Sequence, residues 1–279
     1  MARNFVILFA AREGSSAIVD SLSRHPEISV PIFEELDRFW VKKFYPDLDV
    51  TAEIASIFAS NSFSREEDYG FRSFVSSDKR GQAVASIGFK WRPHGAPGQI
   101  SQVFLEHDVR VFLLCRRDIN ELVASLLVSR ETTGKQTDGN FHGQFQFSRM
   151  TAEEQAAYRS EVENQKIKLN TFKAFDLLLR RFFHAVRLRV WIWRLQRNGL
   201  QCHALSYEDF RDKPAEFFEG VFRELGVRVV PPESLVEGQI MQRASRVPAT
   251  ERVQNFDRLS RNPLFQAIGA LYKSIISLK

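Results

Sequence analysis

The stretch that most constrains this chain is Asn4 to Arg24, NFVILFAAREGSSAIVDSLSR. Asn4 to Phe9 is a short, continuously apolar run, the pattern of a strand buried on both faces of a parallel sheet. Arg12-Glu13-Gly14-Ser15-Ser16 follows, and then a helical pattern with Ile18 and Leu22 one turn apart, ending before His25-Pro26. The first N–H groups of a helix have no intrahelical partner, and the helix dipole favours negative charge there. Arg12 adds a cation, and the Ser15 and Ser16 hydroxyls can donate to phosphate or sulfate oxygens. The reading is a phosphate-cradling loop; the bland alternative is a capped helix start with a surface arginine. It is not a Walker A loop: the one Gly-Lys pair, Gly134-Lys135, precedes Gln136. The glycine spacing of a dinucleotide fingerprint is absent as well.

A chain of 279 residues, 44% hydrophobic and with 25 Phe, can bury a sizeable core. One α/β domain spanning 1–279, with a lid and long-helix insertion over 130–200, is expected. The net charge of +5 and pI near 9.3 suit an anionic ligand, while nucleic acid is not the favoured partner. Cys115 and Cys202 each sit in apolar, strand-like stretches and read as reduced core thiols; no Cys/His cluster has metal-ligand spacing. Arg12 and Glu13 interrupt the first apolar run too early for a secretory signal. No segment approaches the ~18 apolar residues of a membrane span. A cytoplasmic protein is expected.

Ile28 to Leu36 reads as a loop carrying the adjacent carboxylates Glu34 and Glu35. Thr51 to Ala59 and Ser64 to Val75 read as short helices, and Ala83 to Trp91 as a second buried strand ending in Lys90-Trp91-Arg92-Pro93-His94. Gln99 to Glu106 is expected to be helical. Val109 to Cys115 is the clearest interior strand, with Arg116-Arg117 at its C-terminal end, the edge where ligands sit in open α/β sheets. Asp118 to Glu121 has the form of a capping box and opens a helix to about Val128. Arg130 to Met150 reads as a polar lid. From Thr151 to Gly199 the pattern is helical, with Phe172, Phe175, Leu179, Phe182 and Phe183 forming an apolar stripe expected in the core. Gln201 to Leu205 makes a further strand, Pro214 to Leu225 a helix stopped by Gly226, Arg243 to Leu259 a basic loop running into a helix, and Pro263 to Ile276 the last helix.

Three blocks in this order resemble the PAPS-dependent sulfotransferases (PAPS being 3′-phosphoadenosine 5′-phosphosulfate), nearest to the bacterial and carbohydrate branch. Ala11 to Ser16 is similar to the family's 5′-phosphosulfate loop, with Glu13 where a small hydroxyl residue is usual. Arg117 to Ser125 is similar to its 3′-phosphate element, an Arg at a strand end with a Ser eight residues on. Tyr207-Glu208-Asp209-Phe210 is similar to its Y-E-D-hydrophobic segment. Ile87 to Lys90, and Arg243 with Glu251 to Leu259, agree more loosely. The resemblance implies a P-loop-like three-layer α/β fold: a central, mostly parallel sheet flanked by helices, plus a helical lid insertion.

The implied activity is metal-free in-line transfer of a sulfuryl group from PAPS to a hydroxyl or amine of a small-molecule, carbohydrate or lipid acceptor, releasing the bisphosphate PAP. The resemblance assigns Arg12, Glu13, Gly14, Ser15, Ser16, Arg117, Ser125, Tyr207 and Arg243 to the donor, with Tyr207 against the adenine edge. Arg12 and Lys90 would stabilise the leaving oxygen or the sulfuryl oxygens. The base would be Glu34, Glu35 or His94; two neighbouring carboxylates on an extended loop cannot both aim inward, and Glu35 is preferred. Two other classes remain open: a P-loop-type kinase, which would need a Walker lysine, and a non-catalytic module for anions or nucleotides, which would need no base.

Overall fold

The computed structural model describes all residues except 1, 11–13, 66–78, 80–81, 134–149, 165, 237–246 and 278–279. The expectations placed on Arg12, Glu13, Arg243, most of the Ser64 to Val75 helix and the body of the lid fall outside the described residues. The strands are β1 Asn4–Leu8, β2 Ile28–Ser29, β3 Ser86–Trp91, β4 Val109–Cys115, β5 Ile167–Lys168, β6 Cys202–Ser206 and β7 Val253–Gln254. The helices are α1 Ser15–Arg24, α2 Arg38–Phe44, α3 Val50–Ser60, α4 Pro97–Glu106, α5 Ile119–Thr133, α6 Ala152–Asn164, α7 Thr171–Arg197, α8 Tyr207–Asp212, α9 Pro214–Leu225, α10 Pro232–Val236, α11 Ala249–Arg252, α12 Phe256–Ser260 and α13 Pro263–Ile276. The chain divides into two compact units, Met1–Cys115 with Arg187–Gln239, and Arg116–Val186 with Ile240–Lys279.

The first unit is built on a five-stranded sheet in the order β2-β3-β1-β4-β6, every pairing parallel. The architecture is therefore α/β with a parallel central sheet flanked by helices. Phe5, Val6, Ile7 and Leu8 are all fully buried, as a strand covered on both faces requires. Phe5 pairs with Gly88, and its ring lies where a β-carbon on Gly88 would stand 2.3 Å away, which is why a glycine interrupts β3. From β1 the chain goes to one side of the sheet, to β2, and from β4 to the other, to β6. The β1-to-β2 and β3-to-β4 crossovers run in opposite directions along the sheet, so right-handed connections put α1 and α4 on opposite faces. Ile28 and Ser29, expected in a loop, form β2 instead, because their amides and carbonyls find partners on β3.

Around the sheet, Phe58 of α3 stacks on Phe89 of β3 at 5.5 Å and meets Phe104 of α4 edge-on at 6.3 Å. The end of α1 is closed by the Lys79 ammonium, which donates to the carbonyls of Ser23, His25 and Ile28, a cation at the negative end of a helix dipole. α9 runs to Gly226, whose left-handed φ of 67° supplies the glycine stop.

In the second unit β5 and β7 pair in parallel, Ile167 with Val253. The Thr151 to Gly199 stretch is two helices, α6 and α7, separated by β5. At the start of α5 only half of the expected capping box forms: Asp118 accepts from the Glu121 N–H at 3.0 Å. The Glu121 carboxylate is engaged elsewhere. It is buried, accepts from the N–H groups of Ala249 and Thr250 at 2.9 and 3.2 Å and pairs with Arg116 at 3.6 Å, so it caps α11.

The aromatic stripe of α7 is only partly buried: Phe175 and Phe182 are half-buried, Phe175 meeting Phe265 edge-on at 5.8 Å, and the other three residues are exposed. Phe172 is 90% exposed, Phe183 64% and Leu179 41%, while Ala174, Leu177, Leu178 and Ala185 on the other side are buried. A helix apolar on two sides carries no sequence signal for which side turns inward. Among the described residues no helix is long and apolar enough to cross a membrane.

Candidate functional site

The C-terminal end of β3 delivers Lys90 into the first unit's interior with its side chain fully buried. Its ammonium donates to the Ser16 hydroxyl oxygen at 2.6 Å and to Glu34 Oε1 at 2.7 Å, and lies 3.5 Å from the centroid of the Phe33 ring. Burial pulls its pKa below the ordinary lysine value, while the Glu34 charge works in the opposite direction.

Ser16 belongs to the first turn of α1, preceded by Gly14 in a left-handed conformation (φ 78°). Gly14's carbonyl accepts from the Ala17 and Ile18 N–H groups, and no side chain caps the helix among the described residues. Lys90 and the Ser16 hydroxyl thus meet at the opening turn of α1, the positive end of the helix dipole. Tyr207, at the start of α8, closes the loop from the β6 side: a β-carbon on Gly14 would stand 2.2 Å from Tyr207 Cδ2. The tyrosine ring expected against an adenine edge is thus packed on the loop itself.

The two carboxylates of the β2–α2 connection have different fates. Glu35 is buried, and its Oε2 accepts from the Phe33 and Glu34 N–H groups at 2.5 and 2.8 Å. Glu34 faces Lys90 instead. The expectation ranked Glu35 ahead of Glu34; the described geometry brings Glu34, not Glu35, to Lys90 and Ser16. The reason is local: the Glu35 carboxylate folds back onto the amides of the two residues before it.

His94 is half-buried. Its Nδ1 lies 3.3 Å from the Arg92 carbonyl and its ring 5.7 Å from Trp91, and burial lowers its pKa below the ordinary histidine value. Arg92 itself enters the cluster, with Nη2 at 3.7 Å from Glu34 and Nε at 2.5 Å from Asp37. Asp37 and Arg92 were not singled out by sequence reasoning. A signal existed: Lys90 and Arg92 are two residues apart at a strand end, so they share a face.

In the second unit Arg117 is exposed on the turn before α5, and Ser125 is half-buried on α5. Arg116 is buried, ion-paired with Glu121, and its carbonyl accepts from the Tyr272 hydroxyl at 3.1 Å. That is a structural engagement.

No protein-family model and no curated protein match this chain. Among solved structures, it is similar to a sulfotransferase from Alicyclobacillus acidocaldarius, at 16% identity over 99% of this chain and 96% of that one, with a TM-score of 0.44. It is also similar to the sulfotransferase STF9 from Mycobacterium avium, at 10% identity over 100% and 78%, TM-score 0.45. A third is the sulfotransferase domain from the Synechococcus PCC 7002 olefin synthase, at 15% identity over 99% and 88%, TM-score 0.36. Likenesses this distant carry no weight for activity, which has to come from the side chains.

Proposed function

We propose that the chain is a PAPS-dependent sulfotransferase acting on a hydroxyl or amine of a small-molecule, carbohydrate or lipid acceptor. The observation that carries the reading is Lys90: a buried ammonium bonded at once to a serine of an uncapped helix start and to a carboxylate. An anion site and a candidate base sharing one cation is an arrangement for group transfer; a module that only binds anions needs no base.

The residues fit the 5′ end of such a donor. A side chain at Gly14 would fill the space taken by Tyr207, so this position stays bare backbone beside the opening turn of α1. Arg117 and Ser125, at the spacing of a 3′-phosphate element, are the residues proposed for the other end. When bound, PAPS supplies the sulfuryl group, and its phosphate oxygen keeps the electron pair of the broken S–O bond.

Ser16 and the α1 amides hold the anion, and Lys90 donates to the oxygens on which charge develops. As Lys90 turns to those oxygens its hold on Glu34 weakens, and Glu34 becomes a better base. Glu34 then takes the proton from the acceptor hydroxyl as that oxygen forms its bond to sulfur. Donor binding and base activation are coupled through one ammonium.

The test is thermal stabilisation by PAP against ATP with Mg²⁺, together with transfer of radiolabelled sulfuryl groups from PAPS to a panel of alcohols and amines. PAP at a hundredfold excess over its dissociation constant is expected to add about 2.7 kcal/mol. Lys90→Met is expected to lower kcat by about 10²–10³-fold. Stabilisation by ATP with Mg²⁺ and none by PAP would point to the kinase class instead.

A further inference from the structure

Glu34 and Asp37 are the two ends of one turn, closed by the Asp37 N–H donating to the Glu34 carbonyl at 2.8 Å. Trp91 ties this turn to β3, its indole N–H donating to the Leu36 carbonyl at 3.0 Å. Both carboxylates are thereby presented to Arg92, which follows β3 directly and whose guanidinium also lies over the Phe9 ring at 5.6 Å. Asp37 holds the nearer nitrogen, at 2.5 Å; Glu34 sees Arg92 only at 3.7 Å.

Glu34 therefore stands between two cations, Lys90 at 2.7 Å and Arg92 at 3.7 Å. A carboxylate between two uncompensated cations holds a proton poorly and makes a weak base. Among the described residues, the other charged groups in this cluster include Glu35, turned onto its own loop amides, and His94, on which Asp37, Arg38 at the start of α2 and Arg187 of α7 also act. Of these, Asp37 alone is in direct contact with the Arg92 side chain among the contacts described.

We propose that Asp37 is a positioning residue that acts through Arg92, anchoring the guanidinium away from Glu34 and offsetting its charge, and so setting the basicity of Glu34. The mechanistic value of this device rests on Glu34 as the base of the proposed transfer. The effect of Asp37 on Glu34 is a property of the turn and is measurable without turnover.

Asp37 also begins α2, its carbonyl accepting from the Val41 N–H at 2.9 Å. Asparagine serves a helix start as well as aspartate does, so Asp37→Asn removes the charge and keeps the turn. The experiment follows the side-chain carboxyl carbons by NMR through an acid titration, with the Glu34 resonance assigned by Glu34→Gln.

In Asp37→Asn the Glu34 midpoint is expected to fall by about one pH unit, as the released guanidinium moves onto Glu34. Asp37→Glu is expected to restore most of the wild-type value, and Arg92→Gln to raise it. In the Arg92→Gln background the Asp37→Asn shift shrinks, because no guanidinium is left to release. An unmoved midpoint in a folded Asp37→Asn protein overturns the proposal, and so does an equal shift in both backgrounds, which would mean simple through-space repulsion. Should Asp37→Asn not fold, Arg92→Gln decides alone, a raised midpoint supporting the proposal and an unchanged one overturning it. Failure of PAP to bind would instead remove the sulfotransferase reading and leave these midpoints as they are.

Discussion

Gly14 lies so close beneath Tyr207 that a β-carbon on it would stand 2.2 Å from the ring carbon Cδ2. The same residue has φ 78°, which side-chain-bearing residues rarely adopt. Steric and backbone demands thus fall on one position of the anion loop. Gly14→Ala is expected to destabilise the fold by about 1–3 kcal/mol in urea unfolding. It should also abolish stabilisation by PAP. A variant with wild-type stability and PAP binding would show that the loop is not held by this contact.

Acid stability follows from His25. It is fully buried, its Nδ1 accepts from the Glu27 N–H at 3.1 Å and its Nε2 lies 2.9 Å from the Arg228 carbonyl, an arrangement met by the neutral ring with the proton on Nε2. Burial holds its pKa below 6.5. Below pH 6.5 the unfolded chain binds a proton that the folded chain refuses. Stability is therefore fully present above that pH and is lost as pH falls toward the folded-state value, by up to about 1.4 kcal/mol per pH unit. His94, shifted the same way by burial, adds to the slope. Urea midpoints collected on both sides of the histidine range check this, and His25→Asn should flatten the curve.

Arg117 is the residue proposed for the 3′-phosphate. Hydrogen bonds to charged groups contribute about 1.5–3 kcal/mol, so Arg117→Ala should weaken PAP by about one to two orders of magnitude. Binding of adenosine 5′-phosphate, which lacks the 3′-phosphate, should change little. Calorimetry with both ligands separates the cases; equal losses would mean that Arg117 supports the fold and not the phosphate.

Glu121 accepts from the amides that open α11 and pairs with the buried Arg116. Glu121→Ala leaves a buried guanidinium without this partner and is expected to cost about 3–5 kcal/mol. Denaturant unfolding measures it, and a cost near zero would contradict the buried-pair assignment.

The two sides of α7 offer a packing test. Phe172→Ser and Phe183→Ser, on the exposed side, are expected to stay within about 0.5 kcal/mol of wild type. Leu177→Ala and Leu178→Ala, at buried positions, are expected to cost about 2–5 kcal/mol. The reverse ranking would restore the Phe stripe to the core.

Much of the first unit, and the last helix of the second, was legible in the residues themselves. β1, α1, β3, α4, β4, α9 and α13 fall close to where apolar runs, Pro and Gly punctuation and capping residues put them, because those signals act within a few residues of the backbone they shape. β2 was not legible, since two residues become a strand only when β3 lies alongside. The capping box at Asp118 was half right, because Glu121 found the amides of Ala249 and Thr250, distant in sequence.

The sequence by itself determined most strands and helices of the first unit, the glycine-and-serine turn after β1, and the presence of Lys90 and two neighbouring carboxylates. Those are matters of local periodicity and chain punctuation. Only the tertiary structure decided that Glu34 meets Lys90 while Glu35 turns back on its loop, that Arg92 is divided between Glu34 and Asp37, that Tyr207 covers Gly14, and that Phe172 and Phe183 of α7 face outward. Each depends on which distant segment supplies the opposing charge, amide or surface, and that partner is set by sheet order and helix rotation, which no short stretch of sequence encodes.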